Sequence, residues 1–172
     1  MWSRQGGIEE ALADYTRVIE LPGAPVEELA SALMNRGNMW LQKGDTNKEL
    51  ADYTRVIEQL PGAPVEHVAT GLAARGWLQY RRNAYNAFLT DTEAALSKVP
   101  ALSSAMFNLG LALLACGRDN DALAAHERAA TLFPDRIEEG LVDLADAQKT
   151  WLTGDRARPN IAFLSAAMAR RA

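Results

Sequence analysis

The chain has a single cysteine among its 172 residues, so an internal disulfide is excluded and no cysteine pair is available to a metal. It has no excess of positive charge: 18 Lys and Arg against 22 Asp and Glu give a net charge of −4. The basic footprint that nucleic acids require is therefore missing. No apolar run approaches the roughly 18 residues of a membrane span. The opening "MWSRQGGIEE" contains no apolar signal-peptide core, so cytoplasmic location is the default expectation. No segment alternates with a period of two, which argues against strands. There is no G-x-x-x-x-G-K-[ST], no G-x-G-x-x-G and no H-E-x-x-H. No cofactor, metal or catalytic centre is expected.

The few chemically versatile side chains have structural readings. Cys116, at the end of "LALLACG", reads as a small buried hydrophobe. His126 reads as a packed core histidine rather than a base or ligand, on the repeat position given below, while His67 near a helix start is expected to be exposed. The acidic pairs Glu9-Glu10, Glu27-Glu28 and Glu138-Glu139 are placed at helix beginnings, where the helix dipole favours negative charge. Arg156, Arg158, Arg170 and Arg171 form a solvated helix end on this reading.

What the chain does contain is repetition. "ADYTRVIE" occurs at Ala13–Glu20 and again at Ala51–Glu58, and each copy runs into "LPGAPVE", at Leu21–Glu27 and Leu60–Glu66. "NRG" at Asn35–Gly37 returns as "ARG" at Ala74–Gly76 and as "NLG" at Asn108–Gly110. The spacing of these landmarks, 34 to 39 residues, is that of stacked helical hairpins. Local signals agree. Pro25 opens a helix in which Val26, Leu29, Leu33 and Trp40 share a face. Gly44 ends it, and Asp45 or Thr46 caps the next. That helix carries Leu50, Tyr53, Ile57 and Leu60 and stops at Pro61-Gly62.

These positions resemble the tetratricopeptide repeat, with its W-x2-L-G-x2-Y, A-x3-F and terminal P. Met106, Leu109, Gly110 and Leu113, then Gly117, then Ala122, His126, Ala129 and Pro134 fit best. Gly76, Ala95, Leu96 and Pro100 match in the unit before, where Asn83 replaces the turn glycine and Phe88 the small alanine. Gly37, Trp40, Gly44, Tyr53 and Pro61 match earlier still, with Glu49 in place of alanine. Ala147, Gly154, Phe163 and Ala166 align more loosely, and Pro159 opens or kinks the last helix.

The resemblance implies an all-α fold, an α-solenoid of antiparallel hairpins wound as a right-handed superhelix, with about nine helices. The expected units are a partial repeat at 1–24, repeats at 25–63, 64–100 and 101–134, and a degenerate capping repeat at 135–172. Each hairpin leaves an apolar face that only its neighbour covers. Identity at exposed positions such as Thr16 and Arg17 points to a recent internal duplication. Met1-Trp2 aligns with Met39-Trp40, so the first helix, about Ile8–Glu20, is expected to lack a hairpin partner. The chain is then a piece of a longer array, or it self-associates through that helix.

The resemblance also implies a concave groove lined by the first helices. Transferred position by position, the groove residues are Met34, Asn38, Leu41 and Gln42; Trp77, Tyr80 and Arg81; Phe107 and Asn108; Gln148 and Trp151. Some of these side chains are alternatively packing between neighbouring helices. The lysines and arginines with which some family members clamp a terminal carboxylate are absent here. The implied function is non-enzymatic: binding a peptide or helical segment of a protein partner, or scaffolding an assembly. The alternatives are a sensor or docking region of a larger enzyme and, against the charge balance, a single-stranded RNA binder.

Overall fold

The computed structural model describes residues 2–170, with side chains from residue 6 onward. Met1, the side chain of Trp2 and Arg171 lie outside the described residues. Nine α-helices and no strand occur among the described residues: α1 (Trp2–Glu20), α2 (Val26–Lys43), α3 (Thr46–Thr54), α4 (Val65–Arg81), α5 (Tyr85–Lys98), α6 (Ser103–Ala115), α7 (Asp119–Leu132), α8 (Ile137–Gln148) and α9 (Gly154–Ala169). The first helices α2, α4, α6 and α8 each touch the next of the set and form one layer. Each packs on the helix that follows it, so the hairpins stack as a solenoid.

The corners follow from local chemistry. Pro25 is the N-cap of α2, with Glu27 and Glu28 in its first turn. Gly44 ends α2 at φ 76°, with its N–H on the Leu41 carbonyl and the Asp45 N–H on that of Trp40. This closure needs a left-handed residue. Asp45 caps α3, its Oδ1 accepting from the Lys48 N–H at 3.2 Å. Between α4 and α5 the same closure is made by Asn83 at φ 59°. Asparagine is the residue other than glycine that tolerates this conformation best.

The duplicated segments differ in one respect. The second copy carries an extra residue, Gln59, between "ADYTRVIE" and "LPG". The helix absorbs it by widening over Arg55–Gln59 into a π-helical turn, whereas α1 stays α-helical to Glu20. An inserted residue is accommodated this way because i→i+5 bonding takes it up without breaking the helix. The turn buries Val56 completely, although its counterpart Val18 is half-buried.

Several expectations are corrected. Helix α1 begins at Trp2 rather than near Ile8, so Glu9 and Glu10 lie within it and not at its start. His67 is half-buried, its Nε2 2.9 Å from Ser31 Oγ, because α2 and α4 lie side by side there. Gly154 begins α9 instead of forming a turn. Pro159 lies inside that helix.

Helix α1 packs on α2 through Leu12 and Ile19. A hollow of about 500 Å³ opens beside it, lined by Tyr15 and Val18 from α1 and by Ser31, Ala32 and Asn35 from α2. In the next unit the space against Tyr53, the counterpart of Tyr15, is filled by Gly37 of α2.

Candidate functional site

A cavity of about 650 Å³ lies along the layer of first helices. Helix α2 contributes Asn38 and Leu41, α4 contributes Ala73 and Trp77, and α6 contributes Ser104 and Asn108. The opposite wall is α8 and the turn before it, with Asp135, Glu138, Glu139, Val142 and Asp143. These five recur at i, i+3, i+4, i+7 and i+8, the spacing of one helical face. Glu49 and Tyr53 of α3 form the back.

Each polar group has a definable state. The Tyr53 hydroxyl donates to Asn38 Oδ1 at 2.8 Å, which fixes the amide and leaves its NH2 without a hydrogen bond among the described residues. Glu49 is buried, and Arg81 Nη2 donates to its Oε2 at 2.6 Å. Burial raises the Glu49 carboxyl above its ordinary range despite the opposing pull of Arg81. Asn108 is only 8% exposed and lines the cavity, yet no described residue hydrogen-bonds its amide. Glu139 is paired with Arg136 at 2.6 Å. Neither Glu138 nor Asp143 has an ion pair among the described residues.

Burial, reinforced by the charges of Glu139 and Asp146, pushes the Asp143 carboxyl up to about 6. The folded chain therefore holds this proton more tightly than the unfolded chain does. Its contribution favours folding below the ordinary carboxylate range and is lost as pH rises through about 6. Asp143→Asn is thus expected to stabilise the fold above pH 7 by about 1–2 kcal/mol, with the gain vanishing near pH 4. Urea unfolding of both proteins across that range measures it, and an equal stability at pH 7.5 contradicts it.

Behind Trp77 stands an aromatic cluster. Trp77 stacks on Tyr80 with centroids 5.0 Å apart and meets Phe88 edge-on at 6.3 Å. Trp151, in the α8–α9 connection, donates from Nε1 to the Tyr80 hydroxyl at 3.1 Å and packs on Tyr85. This contact joins positions 71 apart in sequence and fixes how far the α8 wall stands from α4.

The residues named from sequence divide accordingly. Asn38, Leu41, Trp77 and Asn108 line the cavity. Tyr80 and Trp151 support Trp77 from behind, and Arg81 is engaged by Glu49. Met34 and Phe107 are buried between neighbouring first helices, beside Gly71 and Gly140. Gln42 and Gln148 are exposed and outside the lining. The acidic wall is absent from the sequence-derived set, although its i, i+3, i+4, i+7 spacing is visible in "DRIEEGLVD".

Comparison with known proteins bears on the fold. Residues 3–64 match the family model for the tetratricopeptide repeat. No curated protein matches this chain. Among solved structures, the crystal structure of MamA superposes with a TM-score of 0.66 at 15% identity, covering 98% of this chain and 93% of that one. The MamA RS-1 ArsTM double mutant gives 0.66 at 18% identity, covering 98% and 89%. TTC0263, a thermophilic TPR protein in Thermus thermophilus, gives 0.52 at 16% identity, covering 98% and 94%. Identities this low speak for the fold. Residues 3–64 thus carry the tetratricopeptide repeat, and the chain as a whole has the helical solenoid fold of these structures.

Proposed function

We propose that the chain is a protein-interaction module that holds a peptide or helical segment of a partner in the cavity along its first helices. The repeat fold itself is that of an interaction or scaffolding module, and such repeats are in general non-catalytic. The observation that carries the finer reading is the shape and lining of the cavity. Its volume is within the range of ligand sites, and it combines an apolar floor with a few convergent polar groups. Trp77 stands half-buried in its wall, backed by rings that hold it in place. A large aromatic side chain supported in this way is the usual anchor of a protein interface.

Trp77→Ala is expected to weaken partner binding by about 1–3 kcal/mol, a hot-spot magnitude, while the helical circular dichroism is retained. The partner is to be captured from native lysate and titrated against both proteins. Loss of the fold in Trp77→Ala would assign Trp77 to the core, and unchanged affinity would place the interface elsewhere. Tyr80→Ala is a less clean probe, because Tyr80 also holds Trp151.

A further inference from the structure

We propose that the groove selects a cationic segment, a short stretch of a protein partner in which lysine or arginine alternates with an apolar side chain. The proposal rests on the groove reading above and specifies its ligand.

The charge of the lining is one-sided. Asp135, Glu138, Glu139 and Asp143 face the cavity from one wall and Glu49 from the back. The cations beside them are already engaged, Arg136 by Glu139 and Arg81 by Glu49. Glu138 and Asp143 have no ion pair among the described residues. Asp143 keeps its charge near neutral pH at the expense of folding stability, with Glu139 and Asp146 as its charged neighbours. A carboxylate held in a half-buried place, against like charges as well, is the kind of local conflict expected where function overrides stability.

A second, independent feature points to the same occupant. The Asn108 side chain is more than nine-tenths buried, and its amide opens on the cavity with no hydrogen-bond partner among the described residues. A peptide backbone supplies both the donor and the acceptor this amide lacks. Across the cavity, the Asn38 NH2 is available to a backbone carbonyl. Leu41, Ala73, Trp77 and the exposed Val142 supply apolar surface, beside the hydroxyls of Thr70 and Ser104. An aliphatic stem lies against such a floor while its charged end reaches the acids, which is how lysine and arginine side chains divide themselves between apolar and polar surroundings. The Trp77 face adds a cation–π contact. A nucleic acid or a terminal carboxylate meets the same wall with repulsion.

The test uses the full chain and two blocked, fluorescein-labelled heptapeptides. One carries two lysines and two leucines among glycines, and the other has glutamate in place of lysine. Fluorescence anisotropy at low salt is expected to show binding of the lysine peptide, with affinity falling as salt is added, and no binding of the glutamate peptide. Glu138→Gln/Asp143→Asn is expected to weaken lysine-peptide binding tenfold or more while its melting temperature holds or rises. Glu27→Gln/Glu28→Gln, which removes two acids outside this cavity, leaves the affinity unchanged. The charge selection is overturned if the lysine peptide fails to bind at millimolar concentration or the glutamate peptide binds equally well. Equal weakening by the two double variants overturns it too, since the attraction then belongs to the whole surface. The groove reading fails separately, when Trp77→Ala leaves lysine-peptide binding untouched.

Discussion

Replacing Arg75 by alanine is expected to destabilise the chain by about 3–5 kcal/mol, one of the two largest single-residue effects foreseen here. The Arg75 guanidinium donates from Nε and Nη2 to the two oxygens of Asp91, both at 2.8 Å, and from Nη1 to Glu58 at 2.5 Å. Asp91 is only 7% exposed, so truncating Arg75 strands a buried carboxylate. Lysine is a poor substitute, because one ammonium cannot reproduce the fork. The bonds also span units: Asp91 is on α5 of the same hairpin, whereas Glu58 is at the end of the preceding one. Arg36, 39 residues earlier, does the same with Asp52 at 2.8 and 2.7 Å and with Thr16 of α1 at 3.0 Å. The two clips therefore repeat at one position of successive units, fastening α2–α3 to α1 and α4–α5 to α2–α3; Leu109 stands at that position in α6. Urea unfolding of Arg75→Ala measures the loss. Arg75→Met/Asp91→Leu, which removes both charges, is expected to recover most of it. A loss under about 1 kcal/mol for Arg75→Ala would mean that Asp91 is hydrated and the clip is ornamental.

The clips explain part of the duplicated segment. Asp52 belongs to "ADYTRVIE", and in the second copy it is buried against Arg36. Its counterpart Asp14 has no such arginine and forms an exposed pair with Arg17. Thr16, expected to be a free surface position, accepts from Arg36. Packing thus constrains more of the repeat than its surface pattern suggested.

What was legible from sequence is what local chemistry determines. Helix content, the corners at Gly44 and Asn83 and the cap at Asp45 each depend on a few consecutive residues, and they stand where expected. The lining of the cavity was harder, because it depends on how closely separate helices approach. Met34 and Phe107 sit at inward positions by repeat alignment, yet both are buried, since Gly71 and Gly140 on the next first helix admit them. A Cβ at Gly140 would lie 2.7 Å from the Phe107 ring. Glu138 and Glu139 were obscured differently. They do occupy the first turn of α8, so the helix dipole is a sufficient local account of them. Only the position of α8 across from Trp77 gives them a second role, and that position depends on Trp151 reaching Tyr80 across 71 positions. Gln59 was legible as an insertion, but nothing local distinguishes a π-helical turn from a longer connector.

The same substitution is expected to act with opposite sign at two glycines. Gly6→Ala, in the exposed part of α1, places its Cβ where nothing lies within 4 Å. It should stabilise the helix by about 0.5–1 kcal/mol through reduced backbone entropy. Gly110→Ala, in the middle of α6, places its Cβ far inside van der Waals distance of Cε1 and Nε2 of the His126 ring. That ring cannot swing aside cheaply. It is 1% exposed, and its Nδ1–H donates to Asn160 Oδ1 at 2.8 Å, which ties α7 to the equally buried Asn160 of α9. Moving it breaks a buried hydrogen bond, and leaving it forces α6 and α7 apart. Overpacking costs about 1–3 kcal/mol and a stranded buried polar group about as much again, against at most about 1 kcal/mol of gained helix propensity. The net loss expected for Gly110→Ala is about 3 kcal/mol, or a melting temperature lower by roughly 6–12 °C in a chain of this size. Gly6→Ala should melt slightly above the parent. Thermal melts followed by circular dichroism in the helical band compare the three proteins directly. If Gly110→Ala melts as high as Gly6→Ala, then α6 and α7 do not cross at van der Waals contact through Gly110, and the close hairpin on which the stacking depends is wrongly described.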